Sequence, residues 1–285
     1  MISTLPGYGH QTRALPAPGR PDRYDIAADT GHGEGRDLPR PEVTGPPIVW
    51  LAAEFDAGPR DRRGSAPRQN RTVTETVRVD LGEVGYAEAI EAMRGWVGER
   101  QAGAAPDRLF LLTHPPVVTY GRHTSPEDLP HDGSLQTVEV DRGGHATYHG
   151  PGQLVGYLVV NLRERGPGDF VRWLELGLIA ALADLGFATV RRDTPKGADS
   201  LVGVWTPEHH KLVSIGMRIR GGVTSHGFAL NIDSDLGVYE RFTACRLPGV
   251  TMTSLRRMAE AAGVATPTEA AVRDAVARRL GAVSG

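Results

Sequence analysis

Residues 141–152, "DRGGHATYHGPG", bring together residue types that could bind or transform a ligand. Four glycines and a proline surround two histidines, a tyrosine and a threonine, and an apolar run follows at once. A tight turn needs one or two glycines, so four of them indicate that the backbone comes close to another group. The segment therefore predicts a binding loop.

Phosphate binding is the first chemistry to weigh for such a loop. The P-loop pattern GxxxxGK[ST] is absent, and the nearest match to GxGxxG, residues 150–156, is one residue too long. The loop also leads into a predicted strand, whereas phosphate loops place the anion at a helix N-terminus. The pattern argues against nucleotide binding here.

Two pairs of histidines have spacings that can be compared with those of metal ligands. His145 and His149 would share one face of a helix, but the glycines and proline around them argue against a helix. His209 and His210 are adjacent and would point to opposite faces of a strand. The sequence therefore favours no metal site.

Cys245 is the single cysteine, so no internal disulfide can form, which agrees with a reducing compartment. A lone cysteine is usually a small packed hydrophobic residue. This one lies in a loop containing proline and glycine, before a predicted helix start near Thr251, and loop cysteines are more often accessible. A packing role and an accessible thiol stay open as alternatives.

Lys211 begins the alternating strand "KLVSIGMRI". The alternation places it on one face with four apolar residues, Val213, Ile215, Met217 and Ile219. A lysine at the start of a strand usually reaches solvent. The alternative is a lysine partly desolvated at the edge of a pocket.

The elements that would position these residues start near residue 74. Predicted strands are "TETVRVD", "RLFLLTH", "PVVTYGRH", "LQTVEVD", "LVGYLVVNL", "ATVRR", "LVGVWT", "KLVSIGMRIR" and "VTSHGFALNI", the last two joined at Gly221–Gly222. Helices are predicted over residues 86–101 and 170–186, and a third over "AAVRDAVARRLGAV" behind a capping box at residues 266–269 with Pro267 at the first helical position. Many strands and few helices, without strict alternation, predict an α+β fold with a mixed or antiparallel sheet.

Composition limits the classes of function. The chain has 285 residues, 40% of them hydrophobic, and a net charge of −2, so a large core is possible and nothing points to nucleic acid. No apolar run approaches the ~20 residues that span a membrane, and the N-terminus lacks the pattern of a signal peptide. We expect a soluble, cytoplasmic protein with neither a nucleic-acid nor a membrane partner.

The N-terminal quarter differs from the rest. Residues 1–72 are rich in proline, glycine and arginine and predict a disordered extension, with residues 73–285 as the catalytic domain. The apolar segment 46–55, "PPIVWLAAEF", could be a short docking piece. An upstream misassigned start codon is the alternative.

Several segments together resemble the lipoyl(octanoyl) transferase family. They are "THPPVVTYGRHT", "RGGHATYHGPGQLVGYLVVNL", "KLVSIGMRIRGGVTSHGFALNI" and "TACRLPGVTMTSL". The resemblance covers about residues 76–260 and implies the architecture of biotin and lipoate protein ligases, a mixed β-sheet flanked by helices.

The resemblance also implies an activity in lipoate biosynthesis and protein lipoylation. Such enzymes move an octanoyl or lipoyl group from acyl carrier protein to a lysine of a lipoyl domain through an acyl-cysteine thioester, without a cofactor. The acceptors would be the E2 subunits of 2-oxoacid dehydrogenases and the glycine cleavage H protein.

By position, the resemblance makes Cys245 the nucleophile and Lys211 its general base. The substrate-binding residues would be Arg142, Gly143, Gly144, His145, Ala146, Thr147, Tyr148, His149, Ser214, Ile215, Gly216, Gly227, Phe228 and Ala229. The glycines would let the backbone wrap closely around an acyl chain and turn amide N–H groups toward an oxyanion.

The sequence departs from the family beside the cysteine. The family usually has proline before and glycine after it, whereas this chain has Ala244 and Arg246. Arg246 is either a contact for the acidic surface of a carrier protein or an ordinary solvated side chain.

Three other functions remain alternatives. The first is an ATP-dependent lipoate or biotin ligase on a related fold. The second is a cysteine hydrolase that uses His149 or His226 as its base. The third is a non-catalytic module that binds acyl groups or lipoyl domains, in which Cys245 only packs.

Overall fold

The computed structural model describes residues 76–284 except positions 132, 164 and 248. The strands are β1 Thr76–Glu83, β2 Arg108–Thr113, β3 Val117–Gly121, β4 Thr137–Val140, β5 Thr147–His149, β6 Gln153–Val159, β7 Gly203–Trp205, β8 Lys211–Arg220, β9 Val223–Asn231 and β10 Ala282–Ser284. The α-helices are α1 Tyr86–Gln101, α2 Pro167–Asp184, α3 Leu255–Ala262 and α4 Glu269–Arg279. The predicted extension over residues 1–72 lies outside the described residues.

A seven-stranded mixed sheet forms the centre of the described domain. Its order is β10-β1-β2-β6-β9-β8-β7. The strands from β10 to β2 run parallel to their neighbours, and the pairs from β2 to β7 are antiparallel. This arrangement confirms the predicted mixed sheet flanked by helices.

A second, three-stranded sheet carries part of the glycine loop. Its order is β4-β3-β5, with β3 parallel to β4 and antiparallel to β5. The strand β5 lies within the loop, directly before β6 of the large sheet. The loop therefore connects the two sheets.

Alternation along β2 separates the two layers of the core. Leu109 and Leu111 belong to the cluster that includes α2, α3 and α4, whereas Phe110 and Leu112 belong to the cluster that includes α1. Successive side chains of a strand point to opposite faces, so apolar residues at every position predict cover on both sides. Helices provide that cover on each face.

The strongly periodic elements are confirmed. The helix α1 has the predicted bounds, and α2 ends at Asp184, followed by a C-cap at Leu185 and a positive φ of 87° at Gly186. The hairpin between β8 and β9 turns at Gly221–Gly222, with Arg220 paired to Val223.

Four local predictions were wrong. Residues 188–192 form only one isolated bridge, Val190 with Trp205, and the helix after the nucleophile loop starts at Leu255 behind Ser254. The cap of α4 is Thr268, whose side chain accepts a hydrogen bond from the Ala271 amide, so Pro267 lies outside the helix. Residues 282–284 leave the helix and pair with β1, because tertiary pairing outweighs weak helix propensity at a chain end.

Candidate active site

Lys211 is buried at the start of β8. The residue is only 2% exposed, which contradicts the alternative that its side chain reaches solvent. The side-chain nitrogen Nζ lies 3.2 Å from Cys245 Sγ and 5.1 Å from the centre of the Trp205 ring. Within the described part of the chain no carboxylate forms an ion pair with this lysine, so the thiol and the aromatic face are its close partners.

Glycine at position 203 makes room for that lysine. Gly203 has a φ of 141°, and a Cβ there would lie 2.4 Å from the Val213 carbonyl oxygen and 3.0 Å from Lys211 Cε. Both the backbone conformation and the close contacts exclude a larger residue without a shift of the strand. The sheet thus shapes a slot for the lysine side chain.

Cys245 lies in a short 3-10 turn, Ala244–Arg246, and is partly exposed. Its backbone has φ 58° and ψ 16°, and Arg246 follows with φ 54°, so two consecutive non-glycine residues occupy the left-handed region. The Cys245 amide donates a 2.8 Å hydrogen bond to the Ala146 carbonyl, and Ser214 Oγ lies 3.9 Å from Sγ. Because the Cys245 amide is already bonded, the predicted oxyanion donors must come from other amides of the wall.

The glycine loop approaches β8 closely. The Gly143 amide donates a 3.0 Å hydrogen bond to the Met217 carbonyl, and a Cβ at Gly216 would lie 2.8 Å from the Gly143 carbonyl oxygen. The excess of glycines in the sequence is explained in part by this backbone-to-backbone contact.

Arg142 holds the loop in place through oxygen acceptors. Its Nη2 donates to the Thr119 carbonyl, the Thr119 hydroxyl and the His145 carbonyl at 3.0, 2.8 and 3.1 Å, and its Nη1 donates to the Gly143 carbonyl at 2.9 Å. Burial lowers the pKa of Arg142, although the nearby Tyr86 opposes that shift. A guanidinium remains charged even so, and this one places a fixed positive charge beside the cavity.

One cavity joins most of the predicted site residues. The predicted residues in its wall are Arg142, Gly144, His145, Thr147, His149, Lys211, Ser214, Ile215, Gly216, Gly227, Phe228, Ala229 and Cys245. Three predicted residues lie behind the wall: Gly143, Ala146 and Tyr148. Ala146 and Tyr148 are buried in the apolar cluster under the nucleophile turn, where they support the site without facing the cavity.

The wall also contains residues that sequence reasoning did not assign to it. They are Tyr86, Val155, Tyr157, Ser200 and Val202, together with His226, which was considered only as an alternative base. The alternation of β6 places Val155 and Tyr157 on one face and could have indicated both. Tyr86 and Ser200 gave no such signal because they come from a helix start and a loop distant in sequence.

Four buried titratable side chains of the cavity wall are uncharged. Burial raises the pKa of Tyr86 to about 12 and raises that of Tyr157, so both phenols stay protonated. Burial lowers the pKa of His226 to about 3 and that of His149 well below its usual value, so both imidazoles are uncharged at neutral pH. Together with apolar wall residues such as Val155 and Phe228, these neutral groups suit a mainly apolar ligand, with Arg142 as the fixed charge beside them.

Arg246, at the mouth of the site, is half exposed. Its guanidinium lies 3.8 Å from Asp199, and the two side chains are 54% and 41% exposed. Contact with the acidic surface of a carrier protein stays a prediction.

Comparison with known proteins was decisive for the family. The lipoyl protein ligase A/B catalytic domain matches residues 85–281. An octanoyltransferase of Frankia casuarinae is 46% identical over 193 residues, which cover 67% of this chain and 87% of that protein. The chain belongs to the octanoyltransferase family. It is therefore an acyltransferase that transfers lipoyl or octanoyl groups.

A second relative agrees with this assignment, and a solved structure shares the fold. An octanoyltransferase of Azotobacter vinelandii is 40% identical over 205 residues, covering 71% of this chain and 90% of that protein. A T. acidophilum protein described as a lipoate protein ligase, with bound lipoic acid, superposes with a TM-score of 0.58 at 15% identity, covering 74% of this chain and 88% of that one. At this low identity the superposition establishes the shared fold.

The described residues contain neither a cluster of metal ligands nor a membrane-spanning helix. Among them, no group of three or more histidine, cysteine, aspartate or glutamate side chains is placed to hold a metal ion. Every helix in the same part of the chain is too short or too polar to cross a bilayer.

Proposed function

We propose that this acyltransferase moves an octanoyl or lipoyl group from acyl carrier protein to a lysine of a lipoyl domain through an acyl-Cys245 thioester. The observation that carries the proposal is the 3.2 Å contact between Lys211 Nζ and Cys245 Sγ in the wall of the cavity. Acceptors of the expected type are the E2 subunits of 2-oxoacid dehydrogenases and the glycine cleavage H protein.

Acylation starts with proton transfer from the Cys245 thiol to the neutral amine of Lys211. The thiolate sulfur attacks the thioester carbonyl of the donor, and the bond from that carbonyl to the pantetheine sulfur breaks. The departing sulfur takes the proton from the Lys211 ammonium, so the carrier leaves as a free thiol. The donor is already a thioester, which supplies the activation that a ligase obtains from ATP.

Deacylation repeats the exchange with an amine. The acceptor lysine has a pKa near ~10.4 in water and is almost wholly protonated at neutral pH, so it must lose a proton before it attacks. That first proton passes to solvent. When the neutral amine attacks the acyl-Cys245 thioester, Lys211, neutral again after acylation, accepts the second proton from the attacking nitrogen. The new amide bond forms, the bond to Cys245 breaks, and the Lys211 ammonium returns its proton to sulfur.

The buried setting of Lys211 favours this role. Lys211 is buried, its Nζ lies 3.2 Å from Cys245 Sγ, and it has no carboxylate partner among the described residues, so the thiol is the group placed to exchange a proton with it. A simple thiolate effect would be small, because nucleophilicity falls as basicity falls. Proton transfer in both half-reactions is the larger contribution.

Intact-protein mass spectrometry after mixing with octanoyl-acyl carrier protein tests the proposal. We expect a hydroxylamine-sensitive octanoyl adduct on the wild type, none on Cys245→Ala, and slow formation on Lys211→Ala. Cys245→Ser is the matched control, because it keeps the shape of the turn but offers a weaker nucleophile. Wild-type protein that modifies a lipoyl domain without ever carrying the adduct would remove Cys245 from the mechanism and favour a ligase.

A further inference from the structure

A continuous row of buried polar groups runs from Arg142 in the cavity wall to the segment after the loop that carries Cys245. Its contacts are Arg142 Nη2 to Thr119 Oγ1 (2.8 Å), Thr119 Oγ1 to His149 Nε2 (3.2 Å), His149 Nδ1 to Gln153 Oε1 (2.9 Å), Gln153 Nε2 to Asn231 Oδ1 (2.9 Å) and Asn231 Nδ2 to the Thr253 carbonyl (3.1 Å). Such a row is stable only when every member finds a partner, because an unpaired polar group in the interior is costly.

The direction of these hydrogen bonds is fixed by groups that cannot reverse. Arginine only donates, and a backbone carbonyl only accepts. Gln153 Nε2 donates to the Tyr148 carbonyl at 3.0 Å, and Asn231 Nδ2 donates to the Thr253 carbonyl, so both amides have one possible orientation. Every donor in the row therefore points from Arg142 toward Thr253.

One consequence concerns His149. Gln153 Oε1 is an acceptor, so the imidazole proton lies on Nδ1, and Nε2 accepts from the Thr119 hydroxyl. Both ring nitrogens are occupied in the neutral form, and a second proton would leave an N–H facing a hydroxyl that already donates toward it. His149 is thus a structural member of the row, which argues against its use as the base of a hydrolase.

The far end of the row reaches the backbone around Lys211. The Thr253 amide donates to the Lys211 carbonyl at 2.9 Å, and the Lys211 amide donates to the Thr251 carbonyl at 2.8 Å. Residues 251–253 are therefore clamped between Lys211 on one side and the Asn231 side chain on the other. The same segment is the end of the loop that carries Cys245.

We propose that Asn231 is a positioning residue for the Lys211–Cys245 pair. It is 1% exposed and does not line the cavity, so it acts through the Thr253 carbonyl rather than on the substrate. With this bond in place, the segment that pairs with Lys211 is fixed relative to the central sheet. The inference rests on the proposed function in one respect, the role of Lys211 as base.

Asn231→Asp tests the inference with almost no change in size. The introduced carboxylate still accepts from Gln153 and Ser234 but cannot donate to the Thr253 carbonyl. The carboxylate oxygen that replaces Nδ2 is then repelled by the Thr253 carbonyl oxygen. We expect kcat to fall about 10–100-fold near pH 8 while KM for the octanoyl donor changes little, because a displaced catalytic group costs rate more than binding. At lower pH the introduced carboxyl gains a proton and can donate, so the deficit relative to wild type at the same pH should shrink.

A donor-independent measurement separates this inference from the proposed function. The rate of Cys245 alkylation by iodoacetamide reports the thiol and its lysine partner even if no acyl donor is ever used, and it should fall in Asn231→Asp. Ser234→Ala is the matched control: it removes a 3.3 Å hydrogen bond to Asn231 Oδ1 and leaves the Thr253 bond intact, so alkylation and kcat should stay near wild type. If Asn231→Asp does not fold, Asn231→Ala removes the same donor in a smaller side chain.

Two results would overturn the inference. One is a variant that lacks the Asn231 donor and yet keeps wild-type kcat and alkylation at every pH. The other is a deficit that is independent of pH in Asn231→Asp and equal in Ser234→Ala, which indicates general loss of packing.

Discussion

Lys211 and Cys245 lie 3.2 Å apart, yet the protein holds them in different ways. Lys211 is the first residue of a ten-residue strand, bonded through its amide and carbonyl to residues 251–253. Cys245 occupies a three-residue turn whose backbone is in the left-handed region at two consecutive positions. Lys211 is fixed by the sheet, whereas Cys245 is on a strained loop of the kind common at functional sites.

This contrast has a physical sense for a reaction with two partners. A proton acceptor must keep its position while a carrier thiol leaves and a protein lysine arrives. A nucleophile that becomes acylated changes its bulk and bonding during each cycle, and a short turn accommodates that change more easily than a strand.

Lys211→Met should break the base while leaving the fold intact. We expect acyl transfer to fall about 10²–10⁴-fold because the proton acceptor is lost. The free energy of unfolding should stay level or rise, since an apolar side chain of similar length then replaces a buried polar one. Activity assays and chemical denaturation measure the two effects.

Lys211→Arg is the matched variant, because it keeps the positive charge but cannot release a proton near neutral pH. Substantial acyl transfer by Lys211→Arg would mean that charge, and not proton transfer, is what the site needs.

Gly203→Ala should disturb the slot that holds the lysine. The added Cβ meets the Val213 carbonyl and Lys211 Cε, so the free energy of unfolding should drop by about 2–5 kcal/mol and kcat should fall with it. Gly197→Ala is the control: it also has a positive φ, but no atom lies within 4 Å of its Cβ, and the expected cost is about 1 kcal/mol. Equal losses in the two variants would show that the slot does not matter.

His226 makes stability depend on pH in a defined direction. Burial, followed by the charges of Arg142 and Arg218, lowers its folded-state pKa to about 3, whereas the unfolded chain takes up a proton near pH ~6.5. Between these values only the unfolded state is protonated, so stability present above pH ~6.5 is lost as the pH falls, by about 1.4 kcal/mol per unit.

His226→Asn removes this proton uptake, and asparagine tolerates the φ of 59° at this position. Denaturant titrations between about pH 6 and pH 4 should therefore show a slope that is shallower by about 1.4 kcal/mol per unit. Parallel curves for wild type and variant would contradict the assignment.

Arg246→Gly tests the backbone strain in the turn that carries Cys245. Glycine relieves the left-handed backbone after Cys245, and the exposed ion pair with Asp199 contributes little, so stability should rise by about 0.5–1 kcal/mol. Asp199→Ala isolates the ion pair and should change stability by less. A loss of stability in Arg246→Gly would mean that the arginine holds the turn through its side chain.

The sequence predicted the elements whose pattern repeats many times. The 16 residues of α1 and the hairpin from Lys211 to Asn231 have a clear period, and both are confirmed. The strands β5 and β10 have three residues each, too few for a period, and their pairing partners lie far away in the sequence. The sequence predicted the N-cap of α4 at Thr266 and not at Thr268, because both positions offer a hydroxyl and only the helix geometry distinguishes them.

The site divides along the same line. The glycine loop could be predicted from the sequence, because so many conformationally permissive residues in one segment indicate a close backbone contact. The contact between Lys211 and Cys245, 34 residues apart, follows from the parallel bridge of Lys211 with Met252, which no local pattern contains. Asn231 gave no signal either, since one amide at the end of a strand is an ordinary feature until its partners are known.

The order of the large sheet also bears on how the protein avoids aggregation. The outermost strands on the two sides, β10 and β7, have only three residues each: β10 pairs with Thr76–Arg78 of β1, and β7 pairs with β8 between Lys211 and Ser214. On the β7 side, Trp205 also forms a bridge with Val190. Such short outermost strands offer little template for a foreign strand, so the topology of the sheet discourages edge-to-edge aggregation.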